Sequence, residues 1–151
     1  DVRTVDLRMN AAFNLAAALD VRDYLAVYNA DYNTGTAALN VWGRFTPMTD
    51  YFYGCTLQDG AVLDLSYRQG VWSTTSRFSN GAKTVSFADE ATITVDLGTR
   101  QIGKGGQVVA WDAAPANLAG LTFKLAASRQ GWLEVKPDGI YYRSGMAVIV
   151  R

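Results

Sequence analysis

What most constrains this chain is a short pattern that keeps returning, an aliphatic residue, then Asp, Asn or Thr, then another aliphatic residue. It occurs as Leu19-Asp20-Val21, Leu39-Asn40-Val41, Leu63-Asp64-Leu65 and Ile93-Thr94-Val95, with a forerunner at Val5-Asp6-Leu7. The four main copies lie 20, 24 and 30 residues apart, the kind of interval at which a coiled repeat returns to the same face. In a strand, alternating side chains face opposite ways. The pattern therefore predicts that Leu63 and Leu65 point into a core, that Asp64 points to solvent, and that equivalent residues pile up in columns.

Two copies extend beyond the three-residue core. The segment 56–65 lines up with 86–95 at a constant shift of 30, pairing Leu57 with Phe87, Asp59 with Asp89, Ala61 with Ala91, Leu63 with Ile93 and Leu65 with Val95. From Leu39 onward, turn residues punctuate runs rich in valine, isoleucine, threonine and aromatics, which is strand chemistry. Asn33-Thr34-Gly35, Asp59-Gly60, Asn80-Gly81, Gly103 to Gly106 and Pro137-Asp138-Gly139 are the clearest breaks, since glycine and asparagine supply positive φ and proline presets a turn. The expected fold is all-β, a short right-handed parallel β-helix (solenoid) with an antiparallel C-terminal cap. A β-sandwich or jelly roll is the alternative, because it also yields alternating strands bounded by such turns.

Within one domain, residues 1–104 are expected to form the solenoid coils and 105–151 the cap region. Gln107 to Trp111 and Leu121 to Leu125 read as strands, Trp132 to Val135 with Ile140 to Tyr142 as a hairpin, and Met146 to Val150 as a final apolar strand. Residues 10–19 support two readings. Asn10 caps a helix that covers the first coil, or the strand pattern begins there directly. Asp112 to Gly120 is the better local helix candidate, with Asp112 as cap and Gly120 as terminator.

A chain of 151 residues, 49% hydrophobic and 19% charged, is long enough to bury a sizeable core. Its 14 cationic side chains balance 14 anionic ones, so it lacks the positive footprint that a phosphate backbone requires. There is no histidine, which removes Ser-His-Asp chemistry and histidine-ligated metals together. Cys55 is the only cysteine and reads as a small buried filler. No apolar stretch reaches the roughly 18 residues of a membrane-spanning helix. The chain opens at Asp1 without a signal peptide, which suits a mature processed chain or a piece of a longer one.

The segment 56–65, the strand Val108-Val109-Ala110-Trp111 with Ala114-Pro115-Ala116-Asn117-Leu118 after it, and the turn Asp138-Gly139-Ile140-Tyr141 resemble the C-terminal end of bacterial surface or secreted β-solenoid proteins. These are the large chains with autotransporter-associated β-strand repeats, whose passenger regions are right-handed β-helices. The resemblance covers roughly two thirds of the chain, from about Thr56 to Arg151. It implies export and an extracellular or cell-surface role in adhesion or display, and it carries over no catalytic residue. The chain departs from a typical passenger in its shortness and in having no visible outer-membrane barrel.

For ligands, the aromatic residues Trp42, Tyr51, Tyr53, Tyr67 and Trp72 are the candidate carbohydrate-binding set, because sugar C–H faces pack on rings while neighbouring polar groups take the hydroxyls. The recurring aspartates lack the dense glycine-aspartate loops of calcium solenoids and read as turn formers and solvated faces. Gly103-Lys104-Gly105-Gly106 lacks the spacing and hydroxyl of a phosphate loop. Arg44 and Arg68 each follow an aliphatic pair by three residues and are expected to form structural ion pairs beside Asp64 or Asp50. The expected protein is therefore non-enzymatic, a structural or adhesive solenoid module that takes a glycan or host-surface ligand. It uses no cofactor or metal, binds no nucleic acid, and self-associates through strand edges. A glycan-active β-helix lyase or hydrolase and a phage-type fibre or spike segment remain as competitors.

Overall fold

The structure is a computed structural model that describes residues 2–7, 12–14, 18–27, 31–33, 38–48, 54–75, 84–102 and 106–145. Short alternating runs separated by turn residues give fifteen strands there. They are β1 (Val2–Leu7), β2 (Ala12–Asn14), β3 (Leu19–Val27), β4 (Asp31–Asn33), β5 (Leu39–Val41), β6 (Arg44–Pro47), β7 (Cys55–Leu57), β8 (Val62–Asp64), β9 (Trp72–Ser73), β10 (Val85–Phe87), β11 (Thr92–Asp96), β12 (Gln107–Ala110), β13 (Thr122–Leu125), β14 (Trp132–Lys136) and β15 (Gly139–Arg143). The described residues contain no α-helix, and hence none long and apolar enough to cross a membrane.

The long strand β3 organises the sheet. Its first half pairs with β5 (Leu19 with Leu39) and its second half with β6 (Tyr24 with Arg44), both in parallel and both at an offset of 20. β5 and β6 are thus one rung, broken at Trp42-Gly43. Gly43 is needed at the break, because a Cβ there would run into the carbonyl oxygens of Arg22 and Asp23. Two ladders leave this rung. One continues through β7 (Val41 with Leu57) to β10 (Leu57 with Phe87). The other runs through β8 (Phe45 with Leu63) and β11 (Leu63 with Val95) to β13 (Val95 with Leu125). Further parallel pairs join β1 to β3, β2 to β4, and β9 to β12.

Parallel register piles like side chains on like. Val21, Val41, Leu57 and Phe87 form one column, and Leu25, Phe45, Leu63 and Val95 another, each residue 5% exposed or less. Burying one such side chain contributes about 1.5–3 kcal/mol, so the columns carry most of the stabilisation. Aromatic edges close the stack, with Phe45 against Trp72 at 6.1 Å and Phe87 against Phe123 at 5.3 Å. The parallel direction of every pair in this sheet sets aside the antiparallel sandwich.

Several expectations are corrected. Leu39-Asn40-Val41 does not stack beneath Leu63-Asp64-Leu65, since β5 pairs with β7 and β8 lies in the other ladder. The shift of 30 holds for Leu57 and Phe87 but becomes 32 in the next strand, where Val95 rather than Ile93 lies beside Leu63. Asp64 is 4% exposed rather than solvated, because Arg44, Thr46 and Ser66 cover it. The expected helix from Asp112 is only a 3₁₀ turn at Leu118–Gly120, and Asp112 does not cap it. Parallel pairing also runs past residue 104, since β13 stacks on β11. Among the described residues the antiparallel strand pairs are β12 with β15 and β15 with β14, the latter being the expected hairpin across Pro137-Asp138, and Thr75 makes an isolated antiparallel bridge with Thr84. Within the segment 10–19 the residues Ala12–Asn14 form a strand and not the helix that Asn10 would cap, while residues 10, 11 and 15–17, and the strand expected at Met146 to Val150, lie outside the described residues.

Candidate functional site

Beyond the columns, the strand pattern builds three polar features. The first is a bridged carboxylate pair. Asp64 and Asp96 are register partners on β8 and β11, and Arg44 Nη1 reaches both at 3.0 Å. Asp64 also accepts the Thr46 hydroxyl at 3.1 Å, the Ser66 N–H at 3.0 Å and the Ser66 hydroxyl at 2.5 Å. Burial opposes ionisation of Asp64, but the Ser66 donors and the Arg44 guanidinium outweigh it and hold the carboxyl below its usual range. Burial likewise disfavours the Arg44 cation, yet hydrogen bonds to Asp96 and Asp64 leave its pKa raised. The expected ion pair of Arg44 with Asp64 is therefore present. Arg68 donates to the Pro47 carbonyl, and Asp50, the other expected carboxylate, lies outside the described residues.

Arg68 belongs to the second feature, a column that the sequence reading missed. The corners Leu65 to Arg68, Leu97 to Arg100 and Ala126 to Arg129 close alike, each arginine N–H bonding the carbonyl three residues back at 3.1–3.2 Å. Each guanidinium then seals carbonyls of the preceding rung. Arg68 donates to Pro47, Arg100 to Leu65 at 3.1 Å and Gly70 at 2.8 Å, and Arg129 to Gly98 and Arg100. Burial, followed by the like charges of Arg68 and Arg129, lowers the Arg100 pKa. The signal was present as an arginine three residues after Leu65 and again after Leu97.

Of the expected aromatic set, Trp42, Tyr67 and Trp72 are among the described residues and lie apart from one another. Trp72 is fully buried in edge contact with Phe45, so its ring is core and cannot meet a ligand. Trp42 is 38% exposed, with Arg22 4.8 Å from its ring centre. Next to it in the chain runs a side-chain ladder in which Asn40 donates to Asp20 at 2.9 Å and Gln58 donates to Asn40 at 3.2 Å. Tyr67, 69% exposed, follows β8 whereas Trp42 precedes β6. Because those strands pair in parallel, the two rings lie beyond opposite ends of one ladder. Tyr51 and Tyr53 lie outside the described residues, as do Asp50 and Gly103 to Gly105. Cys55 is buried, as a filler would be, and burial pushes its thiol up to about 12.

The third feature is a groove of about 530 Å³ between β10 and the segment 112–117. Thr75, Thr84 and Ser86 bring hydroxyls to it, and Asp89 and Asp112 bring carboxylates. Asn117, at its end, donates to the Phe87 carbonyl and to Asp89, both at 2.9 Å. Among the described residues, no group of three or more Cys, Asp or Glu side chains is arranged to hold a metal ion. Comparison with protein-family models, with curated proteins and with solved structures finds no match for this chain.

Proposed function

We propose that the chain is a short right-handed parallel β-solenoid from a secreted or cell-surface protein, working as a non-enzymatic structural or adhesive module. The observation that carries this reading is the repeated corner. Arg68, Arg100 and Arg129 end matching turns that follow the strands of one ladder, and each seals the rung beneath it. A chain that spends its polar side chains on closing its own carbonyls is built for length and rigidity.

The enzymatic competitor draws little support from the carboxylates of this fold. A glycosidase keeps one carboxyl protonated as its acid, whereas Asp64 is held ionised and tied to Arg44 and Thr46. The test is a panel of immobilised polysaccharides and extracellular-matrix proteins. Retention of the full chain without release of reducing ends or unsaturated products is expected. Turnover that disappears in Asp64→Asn would overturn the reading in favour of an enzyme. A stable trimer by light scattering would replace it with the fibre or spike alternative.

A further inference from the structure

The groove beside β10 is where a strand is missing. Among the described residues β10 pairs as a strand only with β7, and just before it Thr84 makes a single antiparallel bridge with Thr75. The bond from the Ala88 N–H to the Leu57 carbonyl fixes the phase of that ladder, and alternation then turns the main-chain groups of Val85 and Phe87 to the other side. Two of those groups already have partners there: the Val85 N–H bonds the Thr74 carbonyl at 2.8 Å, and the Phe87 carbonyl accepts from the Asn117 side chain. At the shift of 30 that relates β11 to β13, the next rung would lay residues 115–117 along β10. Pro115 has no N–H to give to a ladder, and the segment forms no strand there. A side-chain amide stands in for a main-chain donor, and a groove of about 530 Å³ opens alongside.

We infer that this groove receives an extended peptide segment carrying a basic residue, which adds to the edge of β10 as a parallel or antiparallel strand. Main-chain bonds to an exposed strand edge supply affinity in this mode, and pockets for alternate side chains supply selectivity. The charge of the occupant follows from the walls. Among the described residues, Asp89 and Asp112 bring the only charges that line the groove. The small side chains of Ala113 and Ala116 leave room for the backbone of the incoming strand. Its volume lies within the range of about 300–1,000 Å³ typical of ligand sites.

The experiment uses the full chain, labelled for amide NMR, and a synthetic hexapeptide of alternating valine and threonine with one central lysine. The expected result is saturable shifts of the Val85 and Phe87 amides and of the Ala113 and Ala116 signals. Methylating one main-chain nitrogen of the peptide should weaken binding at least about fivefold, as the loss of one hydrogen bond requires. Replacing its lysine with glutamate, or testing Asp112→Asn, should weaken binding about five- to tenfold. An N-methylated peptide that binds as well as its parent, or shifts confined to β1 or β13, would overturn the inference. So would β10 shifts caused by neutral oligosaccharides and not by the peptide, or shifts that grow with protein concentration alone, which would make the occupant a glycan or a second copy.

Discussion

Truncating Asp64 to alanine should cost about 3 kcal/mol, and the sum follows from its four partners. The Thr46 hydroxyl is 1% exposed and has no route to water once Asp64 is gone, which costs about 1.5–2 kcal/mol for a stranded buried donor. The Ser66 N–H, the Ser66 hydroxyl and Arg44 are half-exposed and rehydrate, so each loses about 0.5 kcal/mol. With a urea slope of about 2 kcal/mol per molar, the unfolding midpoint should fall by about 1.5 M. The pH dependence has a definite sign. Because the folded carboxyl titrates below its unfolded value of about 3.9, its ionised form stabilises the fold above that pH, and the stabilisation is lost as pH falls through the folded value. Urea titrations of wild type and Asp64→Ala between pH 7 and pH 3 should therefore show a gap that is constant down to about pH 5 and narrows below pH 4. A loss under about 1 kcal/mol at pH 7, or a gap that does not narrow in acid, would refute the covered ion-pair account.

Other outcomes follow from the same geometry. Arg100→Met should cost about 1–2 kcal/mol by removing the guanidinium bonds to the Leu65 carbonyl, which keeps the Arg68 N–H, and to the Gly70 carbonyl, and Arg100→Lys should not restore it, because an ammonium lacks the fork that spans both; thermal melts of the two variants decide this. Cys55 should resist thiol reagents in the native protein at pH 8 and react at once in denaturant. Its neutral thiol also stabilises the fold up to its unfolded pKa of about 8.5, and that contribution disappears as pH rises toward about 12. Glu90 occupies the turn position filled one rung earlier by Gly60, with φ of 57° against 85°. Glu90→Gly should therefore leave stability unchanged or raise it by up to about 1 kcal/mol, as chemical denaturation would show.

Much of the architecture was legible because a strand repeats every two residues and a turn breaks that repeat in only a few ways. The shift that relates Leu57 to Phe87, the hairpin across Pro137-Asp138, and the burial of Cys55 are all found in the structure. The two-residue slide that sets Val95 rather than Ile93 against Leu63 was hidden for a physical reason. A slip of one residue flips every side chain to the other face, but a slip of two preserves the in-and-out pattern, so hydrophobicity cannot detect it. Asp64 was misread because alternation fixes which side of a strand a residue faces and says nothing about what lies over it. The cover comes from Arg44, 20 residues away, and from Thr46. Trp72 was misread for a related reason, since sequence proximity brought it together with Tyr67 while the corner between them sent the Trp72 ring inward and left the Tyr67 ring exposed. The groove was invisible because the segment 112–117, expected to begin a helix, runs beside β10 without forming a strand or a helix.

The central claim is that distant segments lie in parallel register as successive rungs, and a disulfide tests it most directly. In a Cys55→Ala background, Thr94→Cys with Lys124→Cys places two thiols on register partners of β11 and β13, within the roughly 4.4–6.8 Å between Cα atoms that a disulfide spans. Thr94→Cys with Thr122→Cys is the control, displaced by two residues to a diagonal of about 7–8 Å. The account predicts near-complete cross-linking of the first pair under mild oxidation, with the native spectrum kept, and little in the control. Equal cross-linking of both pairs, or preferential cross-linking of the control, would contradict it.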